Sequence, residues 1–365
     1  MDLTLANTKK RLIDEGKIAP LHQQSTDNED DIFIVFTNPS LKDVIQIIFK
    51  DCLEAFKGKR TVRIVTLQEY CELEDQTITE VAENEGDDMG FIVSDFFNNL
   101  GSYRDDTILV YSHTLDSTQT FIKTYCSDYQ NIVCSTDIQT QGRGRTSNTW
   151  VSPVGCMMFS YNSAVQKHEF GGMIQYMDAL VMCQAIKELK GADCIDVNIK
   201  WPNDVYVNRS QKICGILCQS VYMNGVFNVT SGIGVNVSNR KPTTCLEEQI
   251  KLKTGKVVHL SRAELLGHYM RIWNSYFPLF AKQGFAPFLE RYYQLWLHSN
   301  QSVNVLKDDG SYSNVIIKGI TPYGYLQAVS ESGEMLELLP DGNSFNFLDG
   351  LISKKVCHVC NKHIK

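Results

Sequence analysis

Asn224-Gly225 is the dipeptide that most constrains this chain, because it separates two β-rich runs, residues 213–222 and 226–237. A two-residue hairpin turn needs positive φ at its central positions, and Asn-Gly supplies that at the smallest steric cost. The two runs are therefore predicted to pair antiparallel. Further strands are expected at 108–113 and 131–138, and at 196–200, where polar and apolar residues alternate ahead of the turn signal Pro202-Asn203-Asp204. Apolar residues at 173, 174, 177, 180, 181, 185, 186 and 189 have helical spacing, with Gly191 as the stop. Ser261-x-x-Glu264 is a capping box before an apolar stripe at 265, 269, 272, 273, 276 and 280, which predicts a second long helix. Antiparallel strands with interspersed helices make residues 108–298 an α+β domain.

The flanks read differently. Residues 1–31 are polar and end in Thr26-Asp27-Asn28-Glu29-Asp30-Asp31, a solvated arm. Residues 32–107 predict a small α/β unit: a strand at 32–36, a helix capped by Ser40 and running through Phe56, and a strand at 61–67. No recognisable chemistry lies in it. Residues 299–352 hold five short strand candidates, at 303–306, 313–320, 325–329, 334–338 and 344–347. Asp309-Gly310, Tyr323-Gly324, Ser332-Gly333 and Asp341-Gly342 lie between them, the texture of a small β-barrel. The tail 353–365 carries Cys357, Cys360 and His363, half a zinc-ligand pattern without a second half, so a metal site and a plain tail both stay open.

Composition narrows the function classes. With 43% hydrophobic and 21% charged residues among 365, disorder and fibrous repeats are excluded. No apolar run approaches the roughly 18–20 residues that span a bilayer, so no membrane partner is expected. A net charge of −7 argues against a DNA-coating protein, which needs a basic surface to neutralise phosphate. The twelve cysteines are scattered and several sit in apolar stretches, and the first residues show no leader. A reducing, cytoplasmic setting is expected.

Three constellations carry chemistry. In Gln139-Thr140-Gln141-Gly142-Arg143-Gly144-Arg145, glycines let backbone N–H groups and two guanidinium forks converge on one anion. The Gly-Lys-Ser/Thr ending of a Walker loop is missing, as is the third glycine of a dinucleotide fingerprint. A solvated turn remains the other reading. In Lys200-Trp201-Pro202-Asn203-Asp204, a lysine at the end of a half-buried strand presents a fixed positive charge to a phosphorus or carboxylate centre. Its alternative is a snorkelling lysine beside a core tryptophan. In Ser231-Gly232-Ile233-Gly234-Val235-Asn236-Val237, two glycines weaken a strand unless something must approach its backbone, and a β-bulge is the other explanation. Asn236 there offers a paired donor and acceptor suited to an edge such as adenine.

The order Asp116-Ser117-Thr118, the Gly-Arg-Gly-Arg loop, Lys-Trp-Pro-Asn-Asp, Lys212-Ile213-Cys214-Gly215-Ile216-Leu217 and Gly-x-Gly-x-Asn-Val resembles the biotin–protein ligases, called holocarboxylase synthetases in eukaryotes. The resemblance covers about residues 110–355. Leu295-Trp296-Leu297-His298-Ser299 and Leu339-Pro340-Asp341-Gly342-Asn343-Ser344-Phe345 look like the eukaryotic members' final domain. It implies a catalytic domain related to class II aminoacyl-tRNA synthetases, with a mixed, largely antiparallel sheet, followed by a small SH3-like β-barrel. It also implies activation of biotin by ATP and Mg²⁺ to biotinyl-adenylate, then transfer to one lysine of the biotin carrier domain of an apo-carboxylase.

By that resemblance, Ser117, Thr118, Gln119 and Gln139 line the biotin end, with Gly232 beside it. Arg143, Gly144 and Arg145 close over biotin and the adenylate phosphate. Lys200 touches the biotin carboxylate and the α-phosphate, Trp150 packs against adenine, Asn236 reads it, and Gly234 admits the ligand. Arg143, Arg145 and Lys200 form the implied catalytic set, with magnesium held by the ATP phosphates and by no protein site. Thr146-Ser147-Asn148 departs from many relatives, which have a glycine and another basic residue in the loop; Gln219 stands where bacterial members often have an acid. No helix-turn-helix precedes the catalytic region, so a repressor role is not expected. A lipoate–protein ligase and a non-catalytic biotin sensor or carboxylase-binding module are the alternatives. Monomer and dimer are equally open.

Overall fold

The computed structural model describes residues 31–72, 90–145, 148–223, 225–239, 242–306, 311–338, 343–346 and 351–354. The arm up to Asp30, the loop positions Thr146 and Ser147, and the Cys357, Cys360 and His363 tail lie outside them.

Nine strands form one sheet: β1 (Ile32–Phe36), β2 (Val62–Thr66), β3 (Ile108–Leu115), β4 (Ile132–Gln139), β5 (Cys156–Val165), β6 (Val197–Lys200), β7 (Asp204–Val207), β8 (Gln211–Met223) and β9 (Val226–Asn236). Their order is β2-β1-β3-β4-β5-β9-β8-β7-β6. Only β1–β2 and β3–β4 pair in parallel, so the sheet is mixed and largely antiparallel. Side chains alternate across a strand, and β1 shows the consequence. Ile32, Ile34 and Phe36 pack with Ile45, Phe49 and Phe121 on one face, while Phe33 and Val35 join Phe91 and Phe96 on the other.

The expected hairpin is present: β8 and β9 run antiparallel from Cys214↔Val235 to Met223↔Val226, and Gly225 has φ +80°. The helix expected at 173–189 is Ile174–Glu188, which is almost wholly buried, and Gly191 beyond it has φ +90°. The capping box holds, with the Ser261 hydroxyl accepting from the Glu264 N–H at 3.1 Å at the head of the helix Arg262–Gln283.

Two expectations need amending, and one strand was not anticipated. The strands of the 32–107 unit form no sheet of their own, because β1 pairs antiparallel with β3 and extends the main sheet. Strand pairing between residues some 75 apart leaves no local signature. The cap near residue 40 is Asn38, whose side chain accepts from the Ser40 N–H; Pro39–Leu41 is a 3-10 turn, and the stretch to Phe56 is two helices, Lys42–Ile48 and Lys50–Phe56. Residues 156–165 were not among the expected strands, although Phe159-Ser160-Tyr161-Asn162 alternates apolar and polar; they form β5 between β4 and β9.

A second sheet contains β10 (Ser302–Leu306), β11 (Tyr312–Ile320), β12 (Leu326–Ser330), β13 (Met335–Leu338), β14 (Asn343–Asn346) and β15 (Leu351–Lys354), in the order β13-β12-β11-β10-β15-β14. This is the SH3-like barrel, with one strand more than the five anticipated. β15 straddles the expected boundary at 352 and pairs parallel with β10.

Candidate active site

Ser117 caps the helix Thr118–Tyr125, its hydroxyl accepting from the Thr120 N–H at 3.4 Å. Gln139, at the end of β4, accepts from the Thr118 N–H at 2.9 Å and from its hydroxyl at 3.1 Å. Gln119 donates from Nε2 to the carbonyls of Leu217 (2.8 Å) and Thr230 (3.1 Å). Thr118, Gln119 and Gln139 form a polar floor across strands β4, β8 and β9. A Cβ on Gly232 would come within 3.1 Å of the Gln119 amide carbon, so that glycine makes room for Gln119.

The Gly-Arg-Gly-Arg loop folds back on itself. Arg143 and Thr149 form an isolated antiparallel bridge, and the Gly144 N–H donates to the Asn148 carbonyl at 2.8 Å. Arg143 is exposed, whereas Arg145 is half-buried and donates from Nη1 to Asn203 Oδ1 at 3.1 Å. Asn203 is buried, and its Nδ2 donates to the Ile216 carbonyl. The Trp150 ring lies over β8 and β9, where Gly215 and Gly234 leave space, and its Nε1 is buried without a partner among the described residues.

Lys200 ends β6, half-buried. Its Nζ lies 3.5 Å from the Tyr206 hydroxyl and 5.5 Å from that ring's centre. Burial pushes its pKa down, with Lys212 and Arg145 adding to the effect and Asp204 opposing it. Asp204 is engaged by Lys212 at 2.7 Å, while Lys200 has no ion pair among the described residues. Lys212 Nζ also sits 5.9 Å from the Trp150 ring centre. Asn236 donates from Nδ2 to Thr243 Oγ1 at 2.9 Å and accepts from the Cys156 thiol at 3.2 Å, so both ends of its amide are occupied.

Ser117, Thr118, Gln119, Gln139, Arg143, Gly144, Arg145, Trp150, Lys200, Gly232, Gly234 and Asn236 all line one cavity of about 660 Å³. That is every site residue singled out from sequence. The cavity also takes in Ser160, Asn203, Asp204, Lys212 and Thr243, to which no role was given. Asn203 and Asp204 lie inside the Lys-Trp-Pro-Asn-Asp motif and Lys212 opens Lys-Ile-Cys-Gly-Ile-Leu, so the sequence does carry a signal for them. Ser160 reaches Thr118 Oγ1 at 2.8 Å through strand register alone. Behind β9, Asp178 is buried and accepts from Tyr161, Tyr269 (2.8 Å) and Ser231 (2.7 Å). Desolvation raises its pKa although each of those hydroxyls works to lower it.

The floor is neutral and polar, and the mouth is basic. Such a cavity suits a ligand with an amide-like head and an anionic end. Residues 111–236 match the Biotin/lipoate A/B protein ligase family, and residues 298–348 match the Biotin protein ligase C terminal domain. The chain is 42% identical over 277 residues to Biotin–protein ligase 1, chloroplastic, of Arabidopsis thaliana, covering 74% of this chain and 75% of that one. It is 32% identical over 225 residues to the Biotin–protein ligase of Homo sapiens, covering 60% of this chain and 31% of that longer one. Among solved structures, the biotin protein ligase from Aquifex aeolicus in complex with biotin and ATP superposes with a TM-score of 0.51 at 26% identity, over 63% of this chain and 95% of that one. This chain belongs to the biotin–protein ligase family, and its larger domain has the fold of the biotin protein ligases. It is an enzyme of that family.

Proposed function

We propose that the protein joins biotin to ATP as biotinyl-adenylate and then passes the biotinyl group to a lysine of the carrier domain of carboxylases. A biotin carboxylate oxygen attacks the α-phosphorus, and pyrophosphate leaves. The lysine amine of the carrier then attacks the carbonyl carbon of the mixed anhydride, and AMP leaves. The observation that carries this reading is the shared cavity: Lys200, Arg143 and Arg145 line it together with Thr118, Gln119 and Gln139.

Each group has a role that its surroundings support. Gln119, oriented by the carbonyls of Leu217 and Thr230, and Thr118, oriented by the side chains of Gln139 and Ser160, are suited to the ureido ring of biotin. Arg145, steadied by Asn203, is suited to the anionic junction, where a charge-assisted bond is worth roughly 1.5–3 kcal/mol. Lys200, which makes no ion pair among the described residues, holds its charge for the phosphorus, on which negative charge builds in the transition state. Trp150 offers a flat face to adenine, and Asn236 could read its edge only by exchanging Thr243 or Cys156 for it.

Asp204 is the one carboxylate among the cavity-lining residues, and Lys212 occupies it. No group of three metal-ligating side chains occurs among the described residues. That donor set fits a magnesium ion that would be carried on the phosphates of ATP, with Asp204 the lining carboxylate that could assist. Such an ion would screen phosphate charge. The ten cysteines of the described residues are free thiols, which supports a reducing, cytoplasmic setting. No helix among the described residues is long and apolar enough to cross a membrane.

The test is a transfer assay with biotin, ATP and an apo carrier domain, following pyrophosphate separately. Lys200→Ala is expected to slow pyrophosphate release on the order of a hundred-fold. Release driven by lipoate and not by biotin would favour the lipoate ligase; biotin binding without pyrophosphate would favour a sensor.

A further inference from the structure

Lys200 sits at the end of β6, the outermost strand of the sheet, and its neighbours are held by the segment that leads into the barrel. Ile199 and Trp296 form a parallel bridge, and the Leu297 N–H donates to the Ile199 carbonyl at 2.9 Å. One residue further, the Trp201 N–H donates to His298 Nε2 at 2.9 Å. Residues 296–298 thus run alongside 199–201 as a short extra strand, and Lys200 lies between the two attachment points. The Trp201 side chain closes the arrangement. Its indole N–H donates to the Gly324 carbonyl at 3.2 Å, in the barrel, and to the Tyr176 hydroxyl at 3.1 Å. Tyr176 itself donates to that same carbonyl.

We infer that His298 is a positioning residue for Lys200, through which the seating of the C-terminal barrel is transmitted to the lysine's backbone. This rests on the ligase reading. A backbone N–H can only donate, so Nε2 must be the acceptor and the ring proton resides on Nδ1, which donates to Gln301 Oε1 at 2.9 Å. The ring is fully buried, and burial pushes its pKa down to about 4, so the neutral tautomer is the resident form. Lysine reaches its target through four flexible methylenes, so the accuracy of its ammonium depends on how firmly its Cα is held. His298 holds the next peptide in the chain, and among the described residues no other strand of the sheet lies on that outer edge.

Two substitutions separate positioning from simple stability. His298→Asn keeps a polar atom near Nδ1, within reach of Gln301, but is too short to meet the Trp201 N–H. His298→Gln places a carbonyl oxygen near the position of Nε2 and keeps that bond. With the full chain, biotin and ATP, His298→Asn is expected to lower kcat for pyrophosphate formation about tenfold, with KM for both substrates changed less than about twofold. His298→Gln should recover most of the loss. In a Lys200→Ala background, measured in single turnover, His298→Asn should make little further difference, since its effect passes through the lysine. Equal loss in both backgrounds, loss in His298→Gln as deep as in His298→Asn, or no loss in either would overturn the inference. Wild-type protein that releases no pyrophosphate with biotin would instead sink the ligase reading, a result the two variants cannot mimic.

Discussion

The indole of Trp150 occupies the space that a side chain on Gly234 would need: a Cβ there would stand 2.4 Å from Cε2 and 2.5 Å from Cζ2. Gly215 on the neighbouring strand stands in the same relation, its Cβ position 2.9 Å from Cζ3. Two glycines paired across β8 and β9 therefore form a flat seat for one aromatic ring.

Gly234→Ala should displace that ring while leaving the biotin floor of Thr118, Gln119 and Gln139 in place. Overpacking of this kind costs about 1–3 kcal/mol. If the cost falls on nucleotide binding, KM for ATP rises about tenfold or more and KM for biotin stays within about twofold. Steady-state kinetics with each substrate varied in turn checks this. An equal rise in both constants would mean that Trp150 serves the whole cavity and has no particular tie to the nucleotide.

Lys200 should impose an alkaline limb on the reaction. Burial lowers its pKa from the ordinary 10.5, Lys212 and Arg145 lower it further, and Asp204 opposes them. Only the protonated lysine can neutralise phosphate charge, so the rate should fall as pH rises, with a midpoint below the ordinary lysine value. Pyrophosphate release measured from about pH 7 to 10 should show this in wild type. Lys200→Arg, slower throughout but permanently charged, should stay level over the same range. A wild-type rate that holds constant to about pH 10 would rule out this assignment.

Local pattern and long-range register account for what was and was not legible in the sequence. Arg143, Arg145, Lys200, Gly232 and Gly234 could be found because each sits in a short motif whose spacing has a physical reason, and all of them line one cavity. Ser160 and Thr243 could not, since they reach the cavity only once β5 has paired with β9 and the segment after β9 has folded back. β1 and β2 were recognisable as strands, but their membership of the main sheet depends on Val110 meeting Ile34. The burial of His298 beside Trp201 has the same origin: nothing near residue 298 in sequence announces its neighbour at 201.

His298 should also make stability fall in mild acid. Its pKa drops from the ordinary 6.5 to about 4 on folding, chiefly through burial, with the Lys200 charge acting in the same sense and the Gln301 contact opposing. The unfolded chain therefore takes up the proton first. The stability present above pH 6.5 is lost as pH falls toward about 4. Linkage puts the loss at about 2 kcal/mol between pH 7 and pH 5 for this one group. Urea unfolding at both pH values, in wild type and His298→Gln, isolates it, because glutamine has no proton to take up and the other titrating groups are common to both. The wild-type midpoint should fall further than the variant's. Parallel losses in the two proteins would mean that His298 keeps its ordinary pKa in the folded state, so that at pH 5 its Nε2 carries a proton and cannot accept from Trp201.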